Sequence, residues 1–492
     1  MEKLAPLAAL MSATLLLAAC NSDNNSSTEA TPTKPSTPTT PTTPTTPTTP
    51  PVATAAKHVL FFLGDGMGIT TLTASRIYSV GEDGNLTIDT LPETAFLKTY
   101  SNDSQVTDSA PSMAAYMTGV KSNNGVIAMD SEATQLDDCS ASKGKAVTTL
   151  LELAKKSGMG TGVVTSTRVT HATPAATYAH ICNRDLENDI AVQAVPGGTG
   201  FNSALGDGLD VILGGGRKQF LPSTALKGGR SDNRDLVAEL KALGYNYAAS
   251  KDELAAADSS KRLIGLFNDS HLSYDLDRAN GKAPTEPSLT EMTTKAIEVL
   301  SKKDKGFFLM VEGGRIDHAL HDTNAKRALQ DTVAFDNALK AAIDQMKSLD
   351  PDLKNTLIVV TADHDHTLVL NGYAKRTGKT TDSEAGVLGV VKNYAGTAIG
   401  QPATDANSMP YSIIGFGNGS NRVDGPRTAI DDAMTSGDDY RQEVVFDLGD
   451  PGSETHGGTH VFLGAIGMGA DGFHGVMENT AVFNKVKTAA GL

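Results

Sequence analysis

Three apolar runs in this chain end in the same kind of chemistry. Val59–Leu63 leads into Gly64-Asp65-Gly66, Phe307–Val311 into Glu312-Gly-Gly-Arg-Ile-Asp317-His318-Ala-Leu-His321, and Leu357–Thr361 into Ala362-Asp363-His364-Asp365-His366. Apolar runs of this length without polar alternation predict strands buried on both faces. Gly162–Thr165, Val211–Leu213 and Ser412–Phe416 are expected to add strands. Val147–Lys156, Arg234–Leu243, Leu289–Ser301 and Lys326–Met346 carry helical periodicity between them. Strands alternating with helices predict an α/β fold, three layers (α/β/α) around a mainly parallel central sheet. In such a sheet ligands bind outside the carboxyl ends of the strands, so the acidic and imidazole side chains should converge on one crevice.

Charge arithmetic says what fills that crevice. Asp65, Glu312, Asp317 and Asp363, if about 5 Å apart, repel by roughly 3 kcal/mol per pair at an effective dielectric of 20. Any one of them could be a helix N-cap, since an acidic residue after a strand commonly caps the next helix. Three such ends with repeated Asp-His steps are not what capping predicts. Either carboxyl groups are protonated or cations lie among them, and imidazoles beside carboxylates favour zinc. On a helix Asp317 and His321 stand four residues apart and face the same way, so they can share one ion. Seven of the eleven histidines fall in these segments, in Thr170-His171-Ala-Thr173, or in Glu454-Thr-His456-Gly-Gly-Thr-His460.

A hydroxyl nucleophile is expected in Val106-Thr-Asp108-Ser109-Ala-Pro111-Ser112-Met113. Ser109 precedes Pro111 and a helix-favouring stretch, which sets its hydroxyl at a helix start. As a plain cap it would need no further role, but amides at such a start also bind phosphate-like anions. A zinc ion beside the hydroxyl would turn it into a nucleophile near neutral pH. The whole chain carries 42 Lys+Arg against 57 Asp+Glu, a formal charge of −15. That balance argues against specific binding to nucleic acid or to anionic lipid, and leaves an anionic substrate to be drawn by local positive charge.

The first 54 residues are expected to stand outside the fold. Lys3 precedes an apolar stretch ending in Leu17-Ala18-Ala19-Cys20, the pattern of a signal peptide over residues 1–19. The cysteine directly after it resembles a bacterial lipobox, which would make Cys20 a lipidated N-terminus. Asn21, rather than Asp, favours outer-membrane attachment after export. From Pro32 to Pro50 a proline falls at every third position, matching polyproline II. At about 3.1 Å per residue this 20–54 tether extends up to roughly 100 Å. Beyond residue 20 no apolar run approaches the roughly 20 residues of a spanning helix, so a soluble body is expected. Cys139 and Cys182 remain, as a disulfide in an oxidising compartment or as two buried thiols.

Taken together, Gly64-Asp65-Gly66, Thr107-Asp108-Ser109-Ala110, Val311-Glu312-Gly-Gly-Arg-Ile-Asp317-His-Ala-Leu-His321, Thr361-Ala-Asp363-His364 and Glu454-Thr-His456-Gly-Gly resemble the alkaline phosphatases, in family order, from about residue 57 to the C-terminus. The resemblance implies a phosphatase domain over residues 55–492, with about 367–452 as an accessory insertion similar to the crown-like subdomain at the dimer interface of animal members. It implies hydrolysis of phosphate monoesters through a phosphoserine on Ser109, releasing inorganic phosphate, and a homodimer. Asp317, His321 and His456 match the ligands of a first zinc, and Asp363, His364 and Asp65 those of a second beside Ser109. Asp65, Thr173 and Glu312 match those of magnesium. Arg184, in Ala179-His-Ile-Cys-Asn-Arg184, matches the arginine that grips two phosphate oxygens, a role suited to a planar guanidinium. His171 and His318 stand where many bacterial members carry Asp and Lys. That departure leaves the third site open to zinc as well as magnesium, with His171 beside it and His318 toward the substrate. Animal members bind a further calcium, and Phe267-Asn268 with Glu286 match that stretch only in part.

Two other readings of the same superfamily stand beside this one. Ser109-Ala-Pro111-Ser112-Met113 comes close to the sulfatase signature, which wants Arg at the place of Met113. A phosphodiesterase would share the metal site. A lipoprotein that binds metal or partners without hydrolysis is the third alternative.

Overall fold

Phe61 and Phe62 are neighbours in sequence, point to opposite faces of a strand, and are both fully buried, which requires a sheet covered on both sides. The computed structural model describes residues 55–422, 425–449 and 452–492. The expected signal peptide, Cys20 and the proline-rich tether lie outside the described residues. In chain order the strands begin with β1 (His58–Gly64), β2 (Glu93–Lys98), β3 (Gly160–Arg168), β4 (Val211–Gly215) and β5 (Asn246–Ala248). They continue with β6 (Leu263–Leu266), β7 (Phe307–Gly313), β8 (Thr356–Ala362), β9 (Asp365–His366) and β10 (Leu368–Leu370). The last are β11 (Ile414–Gly419), β12 (Val444–Asp447), β13 (His456–Gly457), β14 (Val461–Gly467) and β15 (Gly475–Glu478).

Ten of these form one sheet in the order β15-β2-β14-β8-β1-β7-β3-β4-β6-β5. Only β14 runs against its neighbours, so the sheet is mainly parallel, as expected. Helices Ile69–Val80, Leu289–Leu300 and Ala325–Leu349 pack together as one layer, and Ser109–Thr118, Leu150–Lys156 and Asn479–Ala490 as another. β1 touches both layers, which makes the architecture α/β/α. Among the described residues no helix is long and apolar enough to cross a membrane.

Capping decides where the expected helices start. Thr149 accepts from the amide of Glu152 and the Glu152 carboxylate accepts from the amide of Thr149, so the helix begins at Leu150 and the expected Val147 and Thr148 fall outside it. The same exchange between Ser288 and Glu291 opens Leu289–Leu300. Asp235 caps Leu236–Ala242, and Asn324 caps Ala325–Leu349.

Ser412–Phe416 departs from the expectation. The strand there runs Ile414–Gly419 and belongs to a separate three-stranded sheet, β10-β11-β12. Leu368–Leu370 pairs with it antiparallel, which keeps it from the parallel sheet. This small sheet and the short helix Asp432–Thr435 lie within residues 367–452. Cys139 and Cys182 are joined as a disulfide, Cα atoms 5.5 Å apart, which resolves the alternative left open by spacing.

Candidate metal centre

Register places the chemistry. β1 lies between β7 and β8, with Gly64 level with Gly313 and with Ala362. Asp65 therefore leaves β1 at the height where Asp363 leaves β8, and Glu312 lies one step below on β7, opposite Leu63. The amide of Gly66, at φ +67°, donates to Asp363 Oδ1 at 3.0 Å, which ties the two strand ends together. After β7 the helix Arg315–His321 carries Asp317 and His321 one turn apart. His456 comes from much further along the chain. β13 pairs antiparallel with β9, setting His456 opposite His366.

Three groups of ligand atoms result, each within 4.8 Å of one another: Asp317, His321, His366 and His456; Asp65, Asp317 and His364; and Asp65, His171 and Glu312. Asp363 joins the second, with Oδ2 3.4 Å from His364 Nε2. Thr173 joins the third, with Oγ1 3.4 Å from Asp65 Oδ2. Ser109, the first residue of the helix Ser109–Thr118, is buried with Oγ 3.2 Å from His364 Nε2 and 3.4 Å from Asp65 Oδ1. That helix is seated on the end of β8: Ser112 Oγ donates to the Asp363 carbonyl and Tyr116 Oη to the Ala362 carbonyl, both at 2.7 Å. Asp108 does not cap the helix with its side chain. Its carboxylate instead accepts from Arg184 Nη1 and, at 2.8 Å, from the amide of Gly125. The disulfide at Cys182 anchors the segment that carries Arg184.

Hydrogen bonds fix the imidazoles so that their lone pairs meet. His321 Nδ1 lies 2.5 Å from the Glu454 carbonyl and His456 Nδ1 2.8 Å from the Thr107 carbonyl. A carbonyl only accepts, so both protons are on Nδ1. The two bare Nε2 atoms then face each other at 3.2 Å, and each lies near Asp317 Oδ1, at 3.3 and 3.6 Å. Acceptors crowded this way call for a cation between them. Asp363 Oδ2 and Glu312 Oε1 are buried without a hydrogen-bond partner, the same demand in the other two groups. The residues present fit bound metal ions.

Electrostatics agree. Burial, with Asp317 and Glu312 close by, pushes the Asp65 carboxyl well above its usual range. Burial lifts Glu312 to about 7, and burial with Asp65 beside it lifts Asp363 to about 8. Asp317 goes the other way: burial opposes ionisation, but with no cation present a protonated His321, and His366 by its hydrogen bond, hold its carboxyl well below the usual range. Burial depresses His171, with Arg184 adding to it, and His456, with His364 adding to it.

Every residue expected at the site is in or beside this pocket except one of the seven clustered histidines. His460 lines a separate 580 Å³ cavity with Lys98–Gln105 and Gly458–Thr459. Arg184 Nη2 donates to His171 Nε2 at 3.0 Å, and the His318 ring lies 5.4 Å from that of His171. Four participants had no role from the sequence. His366 bridges Asp317 Oδ1 at 2.8 Å and Glu454 Oε2 at 2.5 Å. Glu454 is the second; it opens the motif Glu454-Thr-His456-Gly-Gly, but nothing in that motif pointed to its bond with His366. Asp108, beside Ser109, is the third. His271, its ring 4.2 Å from that of His318, sits in a segment with no motif. Glu286, in the stretch similar to a calcium site, takes hydrogen bonds from Asn268 and Ser273 instead.

Such a demand for cations, met beside a buried hydroxyl and an arginine, defines the class: a metal-dependent hydrolase of an anionic ester. Comparison with known proteins narrows it. The family model described as alkaline phosphatase matches residues 56–492. A membrane-bound alkaline phosphatase of Bombyx mori is 37% identical over 469 residues, covering 88% of this chain and 80% of the relative. The human tissue-nonspecific isozyme is 37% identical over 467 residues, 88% of this chain and 84% of that protein. Among solved structures, the alkaline phosphatase of the Antarctic bacterium TAB5 superposes with a TM-score of 0.59 at 25% identity, covering 89% of this chain and 98% of that one. The cold-active enzyme of a Shewanella species gives 0.60 at 26%, covering 87% and 98%. The chain belongs to the alkaline phosphatase family and is a phosphoric monoester hydrolase; the family implies bound metal ions.

Proposed function

We propose that the chain hydrolyses phosphate monoesters in two displacements at phosphorus, with Ser109 as the covalent carrier. The observation that carries this is the Ser109 hydroxyl within 3.4 Å of both Asp65 and His364, at the N-terminus of a helix whose capping residue is engaged elsewhere. Asp317, His321 and His456 would hold one zinc; Asp65, Asp363 and His364 would hold a second, next to Ser109. Asp65, Thr173 and Glu312 would hold magnesium, with His171 close enough to admit zinc there. Bound, the ions supply Lewis-acid charge to the phosphoryl group and lower the pKa of hydroxyls beside them.

The chain's own residues do the positioning that phosphoryl transfer mainly asks for. Asp108 orients Arg184, whose guanidinium grips two phosphate oxygens, and His318 lines the same side. Ser109 Oγ attacks phosphorus in line as the ester oxygen leaves, taking the bonding pair and a proton. Water then displaces Ser109 Oγ and releases inorganic phosphate. Ser109→Ala should abolish the acid-stable phosphoenzyme trapped with labelled ester while elemental analysis finds the metal content unchanged. Loss of zinc in that variant would make Ser109 structural.

The N-terminal segment supports export and lipid attachment at Cys20, with the domain held outside the outer membrane or in the periplasm by the proline-rich tether. Fatty-acid labelling that survives Cys20→Ala would sink this. A homodimer follows from the family; sedimentation at the mass of one chain would refute it.

A further inference from the structure

On the helix Arg315–His321, at about 100° per residue, His321 stands about 40° round from Asp317, His318 about 100° and Arg315 about 160°. The face that carries the metal-ligand candidates therefore passes into a basic one. Three arginines line that side, each donating to an imidazole: Arg184 to His171 at 3.0 Å, Arg315 Nη1 to His318 Nδ1 at 2.8 Å, and Arg168 Nη1 to His271 Nε2. The three rings pack edge to face at 4.2–5.4 Å.

These pairs oppose a cation and favour an anion. An arginine only donates, so each imidazole spends a lone pair on it and carries its proton on the other nitrogen. His318 thus presents Nε2–H, with no partner among the described residues, and His271 has a buried, unpartnered Nδ1–H. Arg315 Nε is also buried without a partner. The arginines differ in how their charge is matched. Arg184 is paired with Asp108, and Arg168 with Glu187 at 2.7–2.8 Å. Arg315 has no carboxylate within ion-pair distance among the described residues; it stacks on Tyr274, 3.8 Å from the ring centre. Its acidic neighbour Asp331 is pushed by burial to about 8 and offers little countercharge near neutrality. A guanidinium without a carboxylate partner, beside the open Nε2–H of His318, favours an oxyanion.

Position gives it a use. In the phosphatase reading the leaving oxygen departs on the side of Asp317, His321 and His456; His318 follows Asp317 on the helix and links that side to Arg315, which it holds through Nδ1. Resting on the phosphatase reading above, we propose that Arg315 and His318, backed by His271 and Arg168, form an oxyanion subsite for the leaving alcohol. The enzyme then favours phosphate monoesters whose alcohol carries a second oxyanion, a carboxylate or a second phosphate.

The test compares 3-phosphoglycerate with glycerol 3-phosphate, which differ by a carboxylate in place of a hydroxymethyl group, and adds 1,3-propanediol bisphosphate to distinguish the two kinds of oxyanion. Metal-loaded wild type should prefer at least one charged ester by about tenfold in kcat/KM, through KM, and rising salt should erode that preference. Arg315→Gln should bring the ratio close to one, and Arg315→Lys should keep a substantial part of it. A wild-type ratio at or below one, a ratio insensitive to salt, or a preference intact in Arg315→Gln overturns the subsite. Should Arg315→Gln fail to fold, the wild-type ratio and its salt dependence still decide. Failure of the phosphatase reading looks different: no ester of the set is turned over by metal-loaded protein.

Discussion

Glu454 shows how much of this pocket is set by residues that would touch no ion. Its Oε2 holds His366 Nδ1 at 2.5 Å, and its Oε1 takes the amide of Thr367 at 2.6 Å and the Thr367 hydroxyl. His366, between two carboxylates, is raised to about 10 despite burial. As an imidazolium it holds Asp317 ionised and fixes the direction of its oxygens. A partner in that position is worth 10- to 100-fold in metal affinity where it has been removed from other sites. Glu454→Gln should therefore weaken zinc binding by about 10-fold or more in competition with a chromophoric chelator, while leaving Ser109 in place. An unchanged affinity would show that His366 alone orients Asp317. The residues that meet ions and phosphate were legible because they stand in short motifs at strand ends. Glu454 and His271 were not, because a residue that acts through another leaves no spacing of its own; His366 was legible as one of the imidazoles after β8, but its partners were not.

At the scale of elements, the turn after β1 has little freedom. Gly66 adopts a left-handed φ of +67°, and a Cβ there would lie 2.5 Å from His366 Nε2 and 3.2 Å from Asp317 Cα. Gly66→Ala would combine backbone strain of about 1 kcal/mol with a clash against the two residues that shape the first group of ligand atoms. The expected outcome is a folded protein with zinc content reduced by half or more and activity lowered by at least 100-fold. Full zinc occupancy in that variant would mean the turn tolerates the methyl by moving away. The strands of the centre were readable from their unbroken apolar runs. β2 was not: in Glu93–Lys98 only Ala95 and Leu97 are buried. β14, Val461–Gly467, carries two glycines that blur its pattern. Ser412–Phe416 looked like any other apolar run, and only the pairing of the strand Ile414–Gly419 with Leu368–Leu370 set it in a different sheet.

For the whole molecule, the pocket couples stability to pH and metal. Without cations, Glu312 and Asp363 are raised to about 7 and about 8, and Asp65 is raised as well. In the unfolded chain such groups titrate near pH 4. Below about pH 6.5 the depressed histidines His171, His318 and His456 oppose the effect of these carboxyls, since they take protons only when unfolded. Between about pH 6.5 and 8 they are neutral in both states, the raised carboxyls still hold protons in the folded one, and stability falls as pH rises. Asp317, held low, has the opposite sign but acts only below about pH 4. Chelator-stripped protein should melt at least about 3 °C lower at pH 8.5 than at pH 6.5. Zinc and magnesium should remove most of that difference, because they take the place of the protons. Equal melting temperatures at the two pH values, with metal removal verified, would contradict the burial of these carboxylates.

The sequence by itself determined the class of fold and the chemical demand. Unbroken apolar runs require a sheet covered on both faces, and acids with imidazoles at their ends require protons or cations wherever they meet. It also carried the family, since five separated motifs occur in order. Only the tertiary structure decided how those ends meet: the level register of β1, β7 and β8, the return of β13 that brings His456 against His366, the bond between Cys139 and Cys182, and the edge-to-face contact of His271 with His318. Each is a contact between residues far apart in the chain. Local composition constrains what a residue can do, whereas its partner is chosen by the packing of every element between them.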